Sequence, residues 1–134
     1  MSETAYEKHL SAVIGEIENT ARSADAAAME RLADTIAGAE RIYVAAAGRS
    51  RLMLSCMAMR LMHIGLTAYV VGDATTPAIR EGDLLIAASG SGETSAVVSI
   101  AQKAKRAGAT LAAITLHKTS SLAQTSDLCI SLSD

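Results

Sequence analysis

The sequence has few aromatic residues: its 134 residues include no tryptophan, no phenylalanine and three tyrosines. We expect a hydrophobic core built from Ala, Val, Ile, Leu and Met. Small side chains let helices pack close to a sheet, but each one buries little apolar surface. A chain of this length is expected to form one domain, and burial against a partner subunit is expected to add to its stability.

An excess of one charge, long apolar runs and cysteine-rich patterns are also missing. The formal net charge is −2, and Lys and Arg are scattered, which argues against nucleic-acid binding. The N-terminus is polar and no apolar run approaches the length of a membrane span, about 18 residues, so a cytoplasmic protein without membrane contact is predicted. Cys56 and Cys129 stand among apolar neighbours, and we expect two buried, reduced thiols. No residues have metal-ligand spacing, and neither a metal nor a cofactor is expected.

Five continuously apolar runs alternate with helical patterns from residue 40 onward. Runs of this kind are typical of a parallel sheet whose two faces are both covered. The connection DATTPAIRE holds the only proline and is expected to be a loop or a short helical turn. This order predicts a three-layer α/β sandwich with a doubly wound, five-stranded parallel sheet of order 2-1-3-4-5. The predicted strands span 41–48, 66–72, 83–89, 109–115 and 127–132, and the predicted helices between them span 49–65, 94–108 and 120–126.

Two amphipathic helices are predicted before the sheet, at 3–21 and 25–37, with Gly38 just past the second helix. The single domain therefore has an N-terminal helical arm, 1–39, and an α/β core, 40–134. The helix that follows the first strand is apolar around nearly its whole circumference, whereas a sheet covers only one side of a helix. The other side is covered either by the N-terminal arm or by another subunit. We expect a homo-oligomer, a dimer or a tetramer, formed through helix 49–64 and the N-terminal helices.

Two loops rich in glycine and serine follow the first and third predicted strands, AAGRS at 46–50 and SGSGET at 89–94. In a sheet of order 2-1-3-4-5 these strands are neighbours and their helices leave on opposite faces, so both loops border one crevice. Glycines and the N–H groups of a helix start accept a close anion, while hydroxyl groups and an arginine add donors for phosphate and sugar oxygens. Each loop alone is also a common turn and helix cap. Their convergence favours a site for a phosphorylated, hydroxyl-rich small molecule.

Other phosphate-binding motifs do not fit these loops. The pattern Gly90-x-Gly92 continues to Ser95 rather than to a third glycine, so the dinucleotide fingerprint is incomplete, and the P-loop pattern is absent. A phospho-acceptor receiver domain would carry aspartates where Ala46 and Ser89 stand. A sugar phosphate is the ligand class that remains.

The combination of GRS with SGSGET resembles the sugar isomerase (SIS) domain family. Within that family, the segment 45–94, with MRLMHIG, VVGDATTPA and EGDLLIAASGSGET, is similar to the 6-phospho-3-hexuloisomerases. The resemblance implies a sugar-phosphate aldose–ketose isomerase that converts hexulose 6-phosphate to fructose 6-phosphate through an ene-diol. It also implies a substrate-contacting first loop and a phosphate-binding second loop. The predicted binding residues of the two loops are Gly48, Arg49, Ser50, Ser89, Gly90, Ser91, Gly92, Glu93 and Thr94.

The catalytic residues stay open. SIS isomerases take a catalytic Glu, and a His that assists ring opening, from helices downstream of the fifth strand, whereas this sequence ends at Asp134. Glu93 and His63 are candidates, but a helix start depresses the pKa of Glu93, which favours a capping or hydroxyl-orienting role. His63 is expected to be buried and hydrogen-bonded; the alternative is contact with substrate held by a neighbouring subunit. A sugar-phosphate-binding module without catalysis, or an isomerase of another phosphosugar, are the other possible functions.

Overall fold

Five parallel strands form the centre of the structure, a computed structural model that describes residues 2–133. Their order is β2-β1-β3-β4-β5, so the predicted sheet order is confirmed. β1 lies between β2 and β3, and Ala45 of β1 is opposite Ala87 of β3. Each strand is shorter than its apolar run, because the runs continue into the turns at one or both ends. The strands are β1 (Ile42–Ala45), β2 (Ala68–Val70), β3 (Leu84–Ala88), β4 (Thr110–Thr115) and β5 (Leu128–Ser131).

Helices cover both faces of this sheet, which explains the continuously apolar strands. Side chains at alternate positions of a strand point to opposite faces, so Val44 packs in the cluster under α2 and α3, and Tyr43 in the cluster under α4 and α5. The β2–β3 connection contains no helix. The helices are α1 (Ala5–Arg22), α2 (Ala26–Gly38), α3 (Gly48–His63), α4 (Ser95–Arg106) and α5 (Ser121–Thr125).

Glycines end two helices as predicted, but not the third. Gly65 and Gly108 follow α3 and α4 in the left-handed region, with φ of +94° and +88°. Gly38 is instead the last residue of α2, and the chain continues through Ala39 in an extended conformation, φ −77° and ψ 144°. The prediction for Gly38 was wrong because the chain runs from α2 toward β1 without the left-handed reversal that favours glycine.

Tyr43 is part of the buried core, whereas most methionines within residues 2–133 are exposed. Tyr43 is 1% exposed and is the largest of the fully buried side chains, so the core is not restricted to the aliphatic residues we expected. Its ring lies 5.3 Å from that of Tyr69 and 5.5 Å from the Arg41 guanidinium carbon. The guanidinium of Arg41 is attracted to the face of the Tyr43 ring by a cation–π interaction.

Two helix faces remain uncovered in the single chain. α1 contains no buried residue, and α3 buries Leu54, Ala58 and Leu61 but exposes its opposite side. Cys56 lies on that opposite side and is exposed, so the prediction of a buried thiol was wrong for it. Cys129 is half-buried, and burial raises the pKa of its thiol although Lys118 lowers it by a smaller amount. No helix within residues 2–133 is long and apolar enough to cross a membrane.

Candidate functional site

The two Gly/Ser loops lie at the same edge of the sheet. β1 and β3 are parallel neighbours, so the loops that follow them leave from adjacent strand ends. α3 then covers one face of the sheet and α4 the other. Residues 46–50 and 89–94 therefore follow neighbouring strands at one sheet edge, which is the position at which open α/β sheets bind ligands.

The first loop turns into α3 at a glycine. Gly48 has a φ of +59°, and an added Cβ there would meet no atom within 4 Å, so the positive φ rather than crowding favours glycine. Ala47 is the N-cap residue of α3 and supplies no side-chain hydrogen bond. Arg49 and Ser50, in the first turn of α3, are both exposed. The side chains of Arg49 and Ser50 are therefore accessible from solvent.

Three hydroxyl groups of the second loop form a cluster. The Oγ of Ser89 is 2.8 Å from the Oγ1 of Thr94 and 3.5 Å from the Oγ of Ser91. Ser89 is buried, Thr94 is half-buried and Ser91 is exposed. Hydroxyls can rotate to donate or accept, so a cluster open on one side can reorient toward phosphate oxygens.

Two backbone N–H groups of the second loop serve the loop itself. The N–H of Gly92 donates to the backbone oxygen and to the Oγ of Ser89, at 3.1 and 3.0 Å, and the N–H of Glu93 donates to the Oγ of Ser91 at 3.1 Å. We expected the N–H groups at this helix start to face an anion. The short side chains of the loop compete for two of them, which only the folded loop reveals.

The two helices that begin at the Gly/Ser loops differ from the other three helices because they lack a side-chain hydrogen bond at the N-cap. The first turns of α1, α2 and α5 are capped by the side chains of Thr4, Asp25 and Ser120. α3 and α4, which begin at the two loops, have no side-chain cap hydrogen bond, and the hydroxyl of Thr94 turns to Ser89 instead. Since helix N-termini carry unsatisfied N–H groups and partial positive charge, both starts can accept an anionic ligand.

Supporting residues of the second loop come from distant segments, and sequence reasoning missed them. Thr115 Oγ1 donates to the backbone oxygen of Gly90 at 3.2 Å, and the N–H of Leu122 donates to the backbone oxygen of Gly92 at 3.0 Å. Ser120 lies directly against Gly92. In the sequence these residues look like a strand end and a short helix cap, and no local pattern indicates that they hold a loop about 25 residues earlier.

Glu93 faces α5 rather than the crevice. Its carboxylate accepts hydrogen bonds from the Oγ and the backbone N–H of Ser121, both at 2.7 Å. These two hydrogen bonds, the hydroxyl's first, lower the pKa of Glu93 below its usual range. The expected capping role is thus observed, although the capped helix is α5 and not α4.

The Glu93–Ser121 contact gives a pH-dependent signal. Because the pKa of Glu93 is lowered, its hydrogen bonds are fully present above the ordinary carboxyl pKa and are lost as the pH falls through the lower folded value. We expect the amide proton of Ser121 to shift upfield in ¹H–¹⁵N spectra on acidification, with a midpoint below the usual Glu range. Glu93→Gln should remove this titration and Glu16→Gln should leave it intact. A Ser121 amide that titrates identically in Glu93→Gln would contradict the contact.

His63 lies far from the crevice of its own chain. It ends α3, which runs back along the sheet to the opposite edge, so it lies about 22 Å from the helix start at 1.5 Å per residue. His63 is also exposed, because the sheet covers only one side of α3, and the prediction of a buried histidine was wrong. His117 lies after β4 at the site edge, in a cavity of about 620 Å³ that Lys118 also lines. Among residues 2–133, no cluster of three or more His, Cys, Asp or Glu side chains could hold a metal ion.

A family model and the sequence relatives of this chain agree with each other. The family model described as "SIS domain" matches residues 35–133. The chain is 51% identical to a 3-hexulose-6-phosphate isomerase of Mycobacterium gastri, covering 91% of this chain and 61% of that protein. It is 41% identical to a 3-hexulose-6-phosphate isomerase of Bacillus subtilis, covering 92% of this chain and 66% of that protein. The chain therefore spans less than two thirds of the length of these relatives.

A solved structure agrees with these sequence relatives. A hypothetical protein of Methanococcus jannaschii, whose crystal structure was used to infer a 3-hexulose-6-phosphate isomerase function, is 39% identical and superposes with a TM-score of 0.75. The match covers 78% of this chain and 58% of that protein. The structural match and the sequence relatives therefore agree with each other.

Proposed function

The chain belongs to the SIS domain family, and on that premise we propose that it is a sugar-phosphate isomerase that converts 3-hexulose 6-phosphate to fructose 6-phosphate. The observation that carries the proposal is the pair of uncapped helix starts beside the hydroxyl cluster of Ser89, Ser91 and Thr94. The names of the relatives from Mycobacterium gastri and Bacillus subtilis supply the substrate.

In this proposal the second loop binds the phosphate and the first loop contacts the sugar. The N–H groups at the start of α4 and the hydroxyls of the second loop donate to phosphate oxygens, and the guanidinium of Arg49 adds charge from the other side of the crevice. Fixing the phosphate positions the reacting carbons, and this remote binding energy lowers the barrier of the chemical step. The proposed binding residues are Gly48, Arg49, Ser50, Ser89, Gly90, Ser91, Gly92 and Thr94, and Glu93 belongs to the site by holding the second loop against Ser121.

The reaction moves a carbonyl group between adjacent carbons. A base removes the proton from C2 while the carbonyl oxygen on C3 gains a proton, which gives an ene-diol. Return of a proton to C3 and loss of the proton on the C2 oxygen give the 2-ketose. Both sugars are ketoses in this case, and the ene-diol chemistry is the same as in an aldose–ketose shift. Glu93 is not the base in this mechanism, because Ser121 holds its carboxylate and lowers its pKa.

A non-catalytic sugar-phosphate-binding module is the second candidate. It is favoured by the same engagement of Glu93 with Ser121, which leaves the two loops without an available carboxylate base. Purified protein incubated with 3-hexulose 6-phosphate decides between them. Formation of fructose 6-phosphate supports the isomerase, whereas tight binding of fructose 6-phosphate without turnover supports the module.

The assembly and cellular setting belong to the same proposal. We expect a cytoplasmic homo-oligomer, a dimer or tetramer, that forms through α3 and the N-terminal helices and binds neither nucleic acid nor membrane. The uncovered apolar faces of α1 and α3 support such an assembly. In an assembly, His63 of one copy becomes available to a crevice other than its own.

Removal of one loop hydroxyl tests the binding site. We expect Ser91→Ala to weaken fructose 6-phosphate binding about 10- to 100-fold, the usual loss for a hydrogen bond to a charged group. Titration calorimetry with fructose 6-phosphate and with free fructose separates phosphate binding from sugar binding. Ser99→Ala, on the exposed side of α4, is the matched control and should bind as the wild type does. Equal affinity of both variants would argue against the site.

A further inference from the structure

Exposed apolar side chains are concentrated on two helices. Within residues 2–133, eleven large apolar side chains are exposed, and ten of them lie on α1 or on α3 and the residue after it. The eleventh is Met29 of α2. Contiguous exposed apolar surface of this kind marks an interaction site. The ten residues are Tyr6, Leu10, Val13, Ile14, Ile17, Leu52, Met53, Met59, Met62 and Ile64.

The α1 stripe consists of Tyr6, Leu10, Val13, Ile14 and Ile17. Their spacing of three and four residues places them on one side of the helix. Tyr6 is 73% exposed and Ile17 is 64% exposed, and no residue of α1 is buried. Most of the stability of a helix in a protein comes from packing of its apolar face, so this stripe needs a surface that covers it.

The α3 stripe consists of Leu52, Cys56 and Met59, with Met53 and Met62 beside them. These residues lie opposite the buried side of α3, and Leu52 and Met59 are 62% and 57% exposed. The helices are similar in length, with 18 residues in α1 and 16 in α3. The two stripes therefore offer apolar surfaces of matching length.

Charge favours pairing of α3 with α1 rather than with another α3. α3 carries Arg49, Arg51, Arg60 and His63 and contains no acidic residue, so two copies of α3 packed together would bring like charges close. α1 carries three glutamates, Glu7, Glu16 and Glu18, and two strong bases: Lys8, on the side away from the stripe, and Arg22, which pairs with Glu18 at 2.9 Å. Acidic residues beside the α1 stripe complement the basic residues beside the α3 stripe.

We infer that α1 of one copy packs on α3 of a second copy, and that the exchange is reciprocal about a two-fold axis. The inference rests on the proposed homo-oligomer and specifies its contact. An isologous interface requires that each surface find its complement on the same chain, and the two stripes meet this requirement. Because α3 begins at Gly48 beside the crevice, the arm of one copy covers the helix that opens the site of the other.

Cross-linking at the helix midpoints tests this contact. Val13 is near the middle of α1 and Cys56 near the middle of α3, so the two lie close in either helix orientation. In a Cys129→Ser background, Val13→Cys treated with a short bis-maleimide should give covalent dimers whose peptide map contains the link between positions 13 and 56. Ala12→Cys, on the opposite side of α1, is the matched control and should give at least tenfold less of that link.

The outcomes separate the possible contacts. A link between positions 13 and 56 that depends on Val13→Cys supports the exchange. A link only between two copies of Cys56 shows that α3 packs on α3 and overturns it. Equal linking from Ala12→Cys, or a chain that sediments as a monomer at 100-fold the concentration used for cross-linking, also overturns it.

Charge substitutions give a second measurement without cysteine chemistry. Val13→Glu places a charge in the stripe and should weaken self-association about 100-fold or more in sedimentation equilibrium, since a carboxylate is costly to bury without a partner. Ala12→Glu adds the same charge to the other side of α1 and should associate as the wild type does. Neither position is buried in the single chain, so both variants fold.

The proposed interface and the proposed binding site can be refuted independently. Ser91→Ala should lower the affinity for fructose 6-phosphate and leave the link between positions 13 and 56 unchanged. If the link forms but fructose 6-phosphate does not bind to the wild type, the site is wrong and the exchange stands. If fructose 6-phosphate binds but the link does not form, the exchange is wrong and the site stands.

Discussion

Gly92→Ala should lower the free energy of unfolding by about 3 kcal/mol and reduce fructose 6-phosphate binding at least tenfold. Gly92 has a φ of +70°, a region that costs residues with a Cβ roughly 1–2 kcal/mol. An added Cβ would also overlap the Oγ and Cβ of Ser120 and lie 3.0 Å from the Oγ1 of Thr115, and overpacking of this kind costs about 1–3 kcal/mol. The loop has to move away from α5, which disturbs the hydroxyl cluster.

Gly90→Ala is the matched control for this prediction. Gly90 does not have a positive φ, and its added Cβ would meet only the Cδ1 of Leu116, at 3.8 Å. We expect a change within about 1 kcal/mol in urea unfolding, because an unstrained Gly→Ala change mainly restricts the unfolded chain. If Gly92→Ala and Gly90→Ala unfold at the same urea concentration, the close packing of the second loop on Ser120 is refuted.

Asp83→Asn should destabilise the fold by about 3 kcal/mol, the usual cost of removing one partner from a buried ion pair. Asp83 is 1% exposed, and its carboxylate accepts hydrogen bonds from Arg41 Nε at 2.9 Å, Arg41 Nη2 at 2.6 Å and the backbone N–H of Arg80 at 2.9 Å. The amide of Asn can replace only part of this set, and the guanidinium of Arg41 loses its counter-charge. Urea unfolding at neutral pH measures the loss.

The pH dependence of the same variant provides a second check. Burial raises the pKa of Asp83, but the hydrogen bonds from Arg41 and Arg80 outweigh it and leave the pKa below its usual range. The stabilisation is therefore complete above the unfolded pKa, about 4, and is lost as the pH falls through the lower folded value. Asp83→Asn should lose this part of the acid sensitivity.

Asp73→Asn is the control for an exposed pair. Asp73 pairs with Arg51 at 3.0 Å, but the side chains are 56% and 40% exposed, so the expected loss is about 0–1 kcal/mol. Asp83 precedes β3 at the edge away from the Gly/Ser loops, so the folded Asp83→Asn variant should bind fructose 6-phosphate normally. Losses of equal size in both variants would show that burial does not distinguish the two pairs.

Local patterns identified most elements correctly, and the two errors on α3 share one cause. The periods of apolar residues gave the five strands and the helices, and their order gave the sheet order. Cys56 and His63 were predicted to be buried because α3 is apolar on all sides. The sheet covers only one side of α3, and both residues lie outside that side. Composition shows which side chains favour burial but not which helix face the chain itself covers.

By itself, the sequence determined the element types, the parallel sheet and the two turns at Gly48 and Gly92, since these follow from periodicity and from backbone conformations that favour glycine. Only the tertiary structure decided that Glu93 binds Ser121, 28 positions later, and that Gly92 lies against Ser120. Contacts between distant segments depend on how two elements pack, and no local pattern records that geometry. The tertiary structure also decided which side of α3 the sheet covers, and it left the α1 stripe uncovered.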